Sequence, residues 1–153
     1  MKIIVDADAS PVKNEIIQLA GEYELAVLLI SNIAHYSFEN YPSYVKTIYV
    51  EKGADQADFK IVQLAEEGDI IVTQDYGLAS LLLPKGCRVI HHMGYEYTMS
   101  NIDRLLQNRH LGALKRKSGE RTKGPKPFTN KDRQNFISFF YELLDELSEN
   151  KEY

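Results

Sequence analysis

Five aspartates stand where strands end or helices begin, a pattern that can gather carboxylates into one site. Asp6 and Asp8 directly follow the apolar run Ile3-Ile4-Val5, and Asp75 follows Ile70-Ile71-Val72 by way of Thr73-Gln74. Asp55 and Asp58 lie three apart in the first turn of a helical pattern, and therefore on one face. Gathered in one crevice, such carboxylates repel one another and some are forced to hold protons. A divalent cation removes that penalty. Oxygen donors without paired Cys or His favour Mg²⁺ or Mn²⁺ over zinc. Metals so held activate water and stabilise a leaving oxygen, which suits phosphodiester cleavage. Taken singly, each aspartate also has a plain structural use, in a turn or against a helix dipole.

The elements that must position these residues alternate. Ile3–Val5, Leu25–Ile30, Lys46–Val50, Ile70–Val72 and Cys87–Ile90 read as five strands, three of them continuous apolar runs typical of parallel strands buried on both faces. Between them lie helical patterns. Ser10-Pro11 reads as N-cap and first helical residue ahead of the stripe Val12, Ile16, Ile17, Leu19 and Ala20, with Gly21 as a stop. Asp55 opens a second helix ending near Gly68, and Leu78–Leu83 makes a short third. Strand–helix alternation predicts βαβ units, right-handed crossovers and a mainly parallel sheet covered on both faces.

In such a sheet the carboxyl ends of the strands line the ligand crevice at the topological switch point. If the first and fourth strands are neighbours, Asp6, Asp8 and Asp75 converge there. The start of the second helix, with Asp55 and Asp58, is expected at the opposite edge unless its loop carries it over.

Beyond Tyr97 the pattern is helical only. Thr98 or Ser100 caps a helix with Ile102, Leu105 and Leu106. Residues 115–128 lack apolar periodicity and hold two glycines and two prolines, a loop or strap. Thr129 followed by Asp132 starts a last helix whose face of Phe136, Phe139, Phe140, Leu143, Leu144 and Leu147 belongs against the sheet or a partner, a second copy included.

Charge is divided unevenly. Residues 1–103 carry a net −8, residues 104–133 a net +8, and residues 134–153 a net −4. An acidic body with a basic strap (Arg104, Arg109, Lys115, Arg116, Lys117, Arg121, Lys123 and Lys126) points to a polyanionic partner held by its phosphates, with no sign of base readout. The aromatics Tyr36, Phe38, Tyr41 and Tyr44 either stack bases or cap a core. His91-His92, at a strand end, should point to opposite faces and make a poor joint metal site.

The chain has 153 residues, 44% of them hydrophobic, which is ample for one core and excludes general disorder. Its single cysteine, Cys87, excludes an intramolecular disulfide framework and reads as core. An acid at position 6 leaves no signal-peptide h-region, and no apolar run reaches membrane-span length, so a cytoplasmic protein is expected.

The stretches IIVDADASPVKNEI, GADQADFKIVQLAEEGDIIVTQDYGLASLLLPKG and NIDRLLQNRH…GPKPFTNKDRQNF, in this order, resemble the YaiI/YqxD family over roughly residues 2–140. These are uncharacterised bacterial proteins related to the PIN-like nuclease superfamily. The resemblance implies one PIN-like domain over 1–153: a three-layer α/β/α core to about residue 97, with a sheet of about five strands. The strap and a C-terminal helical extension would follow over about 98–150. It also implies an acidic metal pocket of the kind ribonucleases and flap endonucleases use. Asp6, Asp8, Asp58 and Asp75 would be catalytic, with Asp55 joining them as a metal ligand. Where the family usually has Cys, this chain has Ser10, which is no thiolate but can donate to a phosphate.

Three functions follow as expectations. The first is an Mg²⁺- or Mn²⁺-dependent nuclease acting on RNA or single-stranded nucleic acid. The second is a non-catalytic module that binds nucleic acid or a partner. The third comes from the likeness of IIVDADAS to the DxDx[ST] motif of haloacid-dehalogenase-type phosphatases, with Asp6 as nucleophile and Asp8 as general acid.

Overall fold

The computed structural model describes residues 1–53, 55–117 and 126–150, with 109–113 and 115–117 described by backbone alone. Its centre is a six-stranded sheet in the order β3-β2-β1-β4-β5-β6. The strands are β1 (Ile3–Asp6), β2 (Val27–Asn32), β3 (Val45–Val50), β4 (Ile70–Val72), β5 (Arg88–His91) and β6 (Tyr95–Glu96). The first five are parallel, with Ile3 of β1 level with Val27 of β2 and Ile70 of β4. β6 returns antiparallel beside β5 as a sixth strand beyond the five expected, two residues being too short to show a period. In the turn between them Gly94 has φ +92°, and a Cβ there would meet the backbone oxygen of Asn135 at 2.9 Å. Only glycine fits.

Alternation along the strands divides the core. Ile3, Val5, Val27, Leu29, Ile70 and Val72 pack against α1 (Lys13–Glu22) and α5 (Asn130–Glu149). Ile4, Ile30, Ile71 and Val89 pack against α2 (Gln56–Leu64), α3 (Tyr76–Leu82) and the first turns of α4 (Met99–Lys117). The result is three layers, α/β/α. The apolar face of α5 covers the sheet: Phe136 and Phe140 are fully buried, their rings stacked 5.1 Å apart. Truncating either to Ala typically costs ~3–5 kcal/mol. Its start is a capping box, Thr129 and Asp132 each accepting from the other's backbone N–H.

Local details depart from expectation. Residues Ala7–Ala9 form a 3-10 turn after β1, so α1 begins only at Lys13 with Val12 as N-cap. Ser10 and Pro11 precede the helix, and the Ser10 hydroxyl accepts from Val12 N–H at 3.4 Å. Gly21 lies within α1 rather than ending it. A Cβ there would meet the Tyr44 hydroxyl at 2.5 Å, so glycine is needed for close approach. The helix α4 runs through Lys117, absorbing the first residues of the strap; Arg121 and Lys123 lie outside the described residues. His92 falls in the turn after β5, so strand alternation does not apply and its ring lies 4.4 Å from that of His91.

Candidate active site

The chain builds β1, β2 and β3 outward in one direction, then crosses back beneath β1 through α2 to reach β4 and β5 on the other side. The direction reverses between β1 and β4, and the carboxyl ends of that pair form the crevice. Asp6 is the last residue of β1; Asp75 is the N-cap of α3, accepting from Leu78 N–H at 3.1 Å. Thr73, buried at 3% exposure, ties them together. Its hydroxyl donates to Asp6 Oδ2 and accepts from Asp75 N–H, both at 3.0 Å. Tyr97, also buried, donates from its hydroxyl to the Thr73 carbonyl.

Asp58 reaches the same crevice. All parallel strands end on one edge, so the helix that follows β3 starts at that edge and carries Asp58 toward β1 and β4. Burial pushes the Asp58 carboxyl up, the charges of Asp75, Asp6 and Asp55 add to it, and the value rises to about 6. Burial also raises Asp6; the Thr73 hydroxyl opposes this, and Asp8 and Asp75 reinforce it. Among the described residues, no Lys, Arg or His forms an ion pair with Asp6, Asp58 or Asp75. Asp55, exposed in the left-handed conformation at φ +66°, contributes charge to Asp58 from just before α2.

Asp8 belongs elsewhere. The 3-10 turn breaks the two-residue alternation, and its carboxylate turns to the α1 side of the sheet. Oδ1 accepts from the Ser31 hydroxyl at 2.6 Å and pairs with His35 Nδ1 at 2.9 Å; Oδ2 accepts from Asn32 N–H at 2.8 Å. Burial alone would raise Asp8, but these partners outweigh it and hold the carboxyl below its usual value. Thr73, Ser31 and His35 carried no spacing signal that marked them in the sequence.

The donor set suits a hard cation: three carboxylate groups, mutually repelling and without a counter-charge among the described residues. As arranged, no three His, Cys, Asp or Glu side chains among the described residues meet closely enough to hold a metal ion. A cation therefore needs Asp6, Asp58 and Asp75 to turn inward around it.

The basic residues distribute unevenly. Arg104, on α4, and Lys126, ahead of α5, are exposed; Arg109, Lys115, Arg116 and Lys117 lie along the α4 backbone. No helix among the described residues is long and apolar enough to cross a membrane.

Comparison with known proteins gives a consistent picture. A UPF0178 protein of Oceanobacillus iheyensis is 58% identical over 144 residues, covering 94% of this chain and 99% of that one. UPF0178 proteins of Bacillus thuringiensis subsp. konkukian and Bacillus anthracis are 58% and 57% identical over the same extent. No solved structure matches. The model of the "Uncharacterized BCR, YaiI/YqxD family" matches residues 4–146, and the chain belongs to that family.

Proposed function

We propose that this protein is a divalent-metal-dependent nuclease acting on RNA or single-stranded nucleic acid. The observation that carries the reading is that Asp6 at the end of β1, Asp75 at the N-cap of α3 and Asp58 in the first turn of α2 face one switch point, near enough that the charges of Asp75 and Asp6 add to burial in raising Asp58. The resemblance to PIN-like nucleases supports it. Asp6, Asp58 and Asp75 would hold Mg²⁺ or Mn²⁺, which supplies an activated water and charge stabilisation at phosphorus. Thr73 fixes the Asp6 carboxylate and the start of α3 in one arrangement. Arg104 is exposed on α4, which packs on the same face of the sheet as α3, whose N-cap is Asp75, and it would be available to a phosphate backbone there.

The phosphatase reading loses support. It assigns proton donation to Asp8, whose oxygens are engaged by Ser31, Asn32 and His35 and whose carboxyl is held ionised.

The test is cleavage of a single-stranded RNA oligonucleotide with Mn²⁺, comparing wild type with Asp6→Asn and Asp75→Asn. Each substitution should lower the rate at least about 100-fold, the several kcal/mol a positioned metal supplies. Replacing Lys115, Arg116 and Lys117 together by Ala should lower the slope of log affinity against log salt by about 2. Salt-dependent binding without cleavage under any divalent metal would leave a binding module in place of the enzyme.

A further inference from the structure

On the other face of the sheet, beside the carboxyl ends of β1, β2 and β3, lies a pocket of about 180 Å³. That is somewhat more than the ~150 Å³ that encloses a benzene ring, so it admits one ring system and not two. Its walls include Asp8, Lys13, His35, Ser37, Tyr41 and Tyr49.

Asp8 makes this pocket directional. Its Oδ1 lies 2.9 Å from His35 Nδ1, and this contact fixes the imidazole in the pocket wall. Lys13 is the opposing donor. Its ammonium is 3.7 Å from Glu39 Oε2 and lies over the Tyr41 ring, 5.6 Å from the centroid. With Asp8 and Glu39 beside it, the pocket has no surplus positive charge for a phosphate. It offers instead an imidazole and an ammonium between aromatic walls.

Outside it an aromatic ladder leads to solvent. Tyr49 lies 5.1 Å from Tyr36, and Tyr36 lies 5.1 Å from Phe38, ring centroid to centroid. Phe38 is 90% exposed and Tyr36 53%. By contrast Tyr44 is spent on the core, its hydroxyl donating to the Ile17 carbonyl. A solvated ring next to Ser37, a residue of the pocket wall, can stack on a base, as aromatic side chains of single-strand binders do.

We propose that this pocket and the exposed Phe38 ring beside it form a base-binding subsite for single-stranded nucleic acid: one base stacks on Phe38, whose ring stands edge-on to Tyr36, and a neighbouring base enters between Tyr41 and Tyr49, hydrogen-bonding to the His35 imidazole and accepting from Lys13. This deepens the nuclease reading, and rests on it only for the identity of the polymer. The strand crosses the carboxyl edge of β1, with the carboxylate trio on one side and the base pocket on the other.

The experiment is fluorescence anisotropy of a labelled six-nucleotide single-stranded RNA with the full chain in EDTA, where metal-dependent cleavage is silent. Phe38→Ala, at a fully solvated ring, should weaken binding about tenfold. His35→Ala should weaken it about fivefold, the loss of one hydrogen bond. A parallel NMR titration should show adenosine 5′-monophosphate shifting Tyr49 and His35 signals and ribose 5-phosphate leaving them unmoved. Unchanged affinity in Phe38→Ala, or equal shifts from ribose 5-phosphate, would overturn the subsite. Absence of Mn²⁺-dependent cleavage together with the tenfold loss in Phe38→Ala would overturn the nuclease and leave the subsite standing.

Discussion

Asp69 and Asp58 flank the same parallel sheet at opposite ends. At the amino edge Asp69 is 2% exposed and surrounded by donors: Lys2 Nζ at 2.6 Å, Lys2 N–H at 3.1 Å and Glu66 N–H at 2.9 Å. Burial alone would raise its carboxyl, but these bonds outweigh burial and hold it below the usual value. At the carboxyl edge, Asp58 meets Asp75 and Asp6, and burial with their charges carries it up to about 6. One end of the sheet spends a cation and two backbone donors on a single carboxylate. The other assembles three carboxylates, and among the described residues no cationic side chain pairs with them. The same fold thus holds one carboxyl below its usual value at one edge and raises another at the opposite edge.

The largest effect that tests this contrast is at Asp69. Asp69→Ala leaves the Lys2 ammonium and two backbone N–H groups without their acceptor, and should cost about 3 kcal/mol in urea unfolding. The sign with pH follows from the lowered carboxyl. Its contribution is complete above the ordinary value near 3.8 and is lost as the pH falls through the lower folded-state value. The difference between wild type and Asp69→Ala should therefore shrink below about pH 4. A loss under 0.5 kcal/mol at pH 7, on the order of a surface substitution, would break the comparison.

Next comes a gain. Because Asp58 is raised, the folded chain binds its proton more tightly than the unfolded chain, and stability falls as the pH rises between about 4 and about 6. Asp58→Asn removes that repulsion. It should stabilise the metal-free protein by about 1 kcal/mol at pH 7, discounted for solvent screening of a partly exposed group, and by almost nothing at pH 4. Thermal unfolding at the two pH values in EDTA measures it. Destabilisation at pH 7 would mean that the carboxylates are a structural network after all.

How much of this was legible depends on which physical rule governs each residue. The buried strands declare themselves because a parallel strand covered on both faces is apolar without interruption, as Ile70-Ile71-Val72 is. Asp6 and Asp75 followed from strand ends and needed only that β1 and β4 be neighbours, which they are. Asp58 stands among the expected site residues, but whether the start of α2 reaches β1 and β4 depends on the crossover, which is a property of topology and not of local spacing. Asp8 could not be separated from Asp6 because the 3-10 turn at Ala7–Ala9 has no periodic signature. The partners Ser31 and His35 both arrive from the end of β2, and nothing local announces them.

Asp8 sharpens the comparison most finely, since it lies at the carboxyl edge yet is satisfied in the manner of Asp69. Its acceptors are filled by a hydroxyl, a backbone N–H and an imidazole instead of an ammonium, and its side chain is 23% exposed. Asp8→Asn keeps the shape and can still accept from Asn32 N–H or Ser31, but its amide nitrogen cannot accept from His35. The expected cost is about 0.5 kcal/mol at pH 7, the low end for one partly exposed hydrogen bond. The carboxyl is held down in the fold, so this cost should be present above pH 4 and fade as the pH falls further. The sign is the point. If position at the carboxyl edge decided the energetics, Asp8→Asn would stabilise the chain as Asp58→Asn does; if satisfaction by donors decides it, the two substitutions at the same edge move stability in opposite directions.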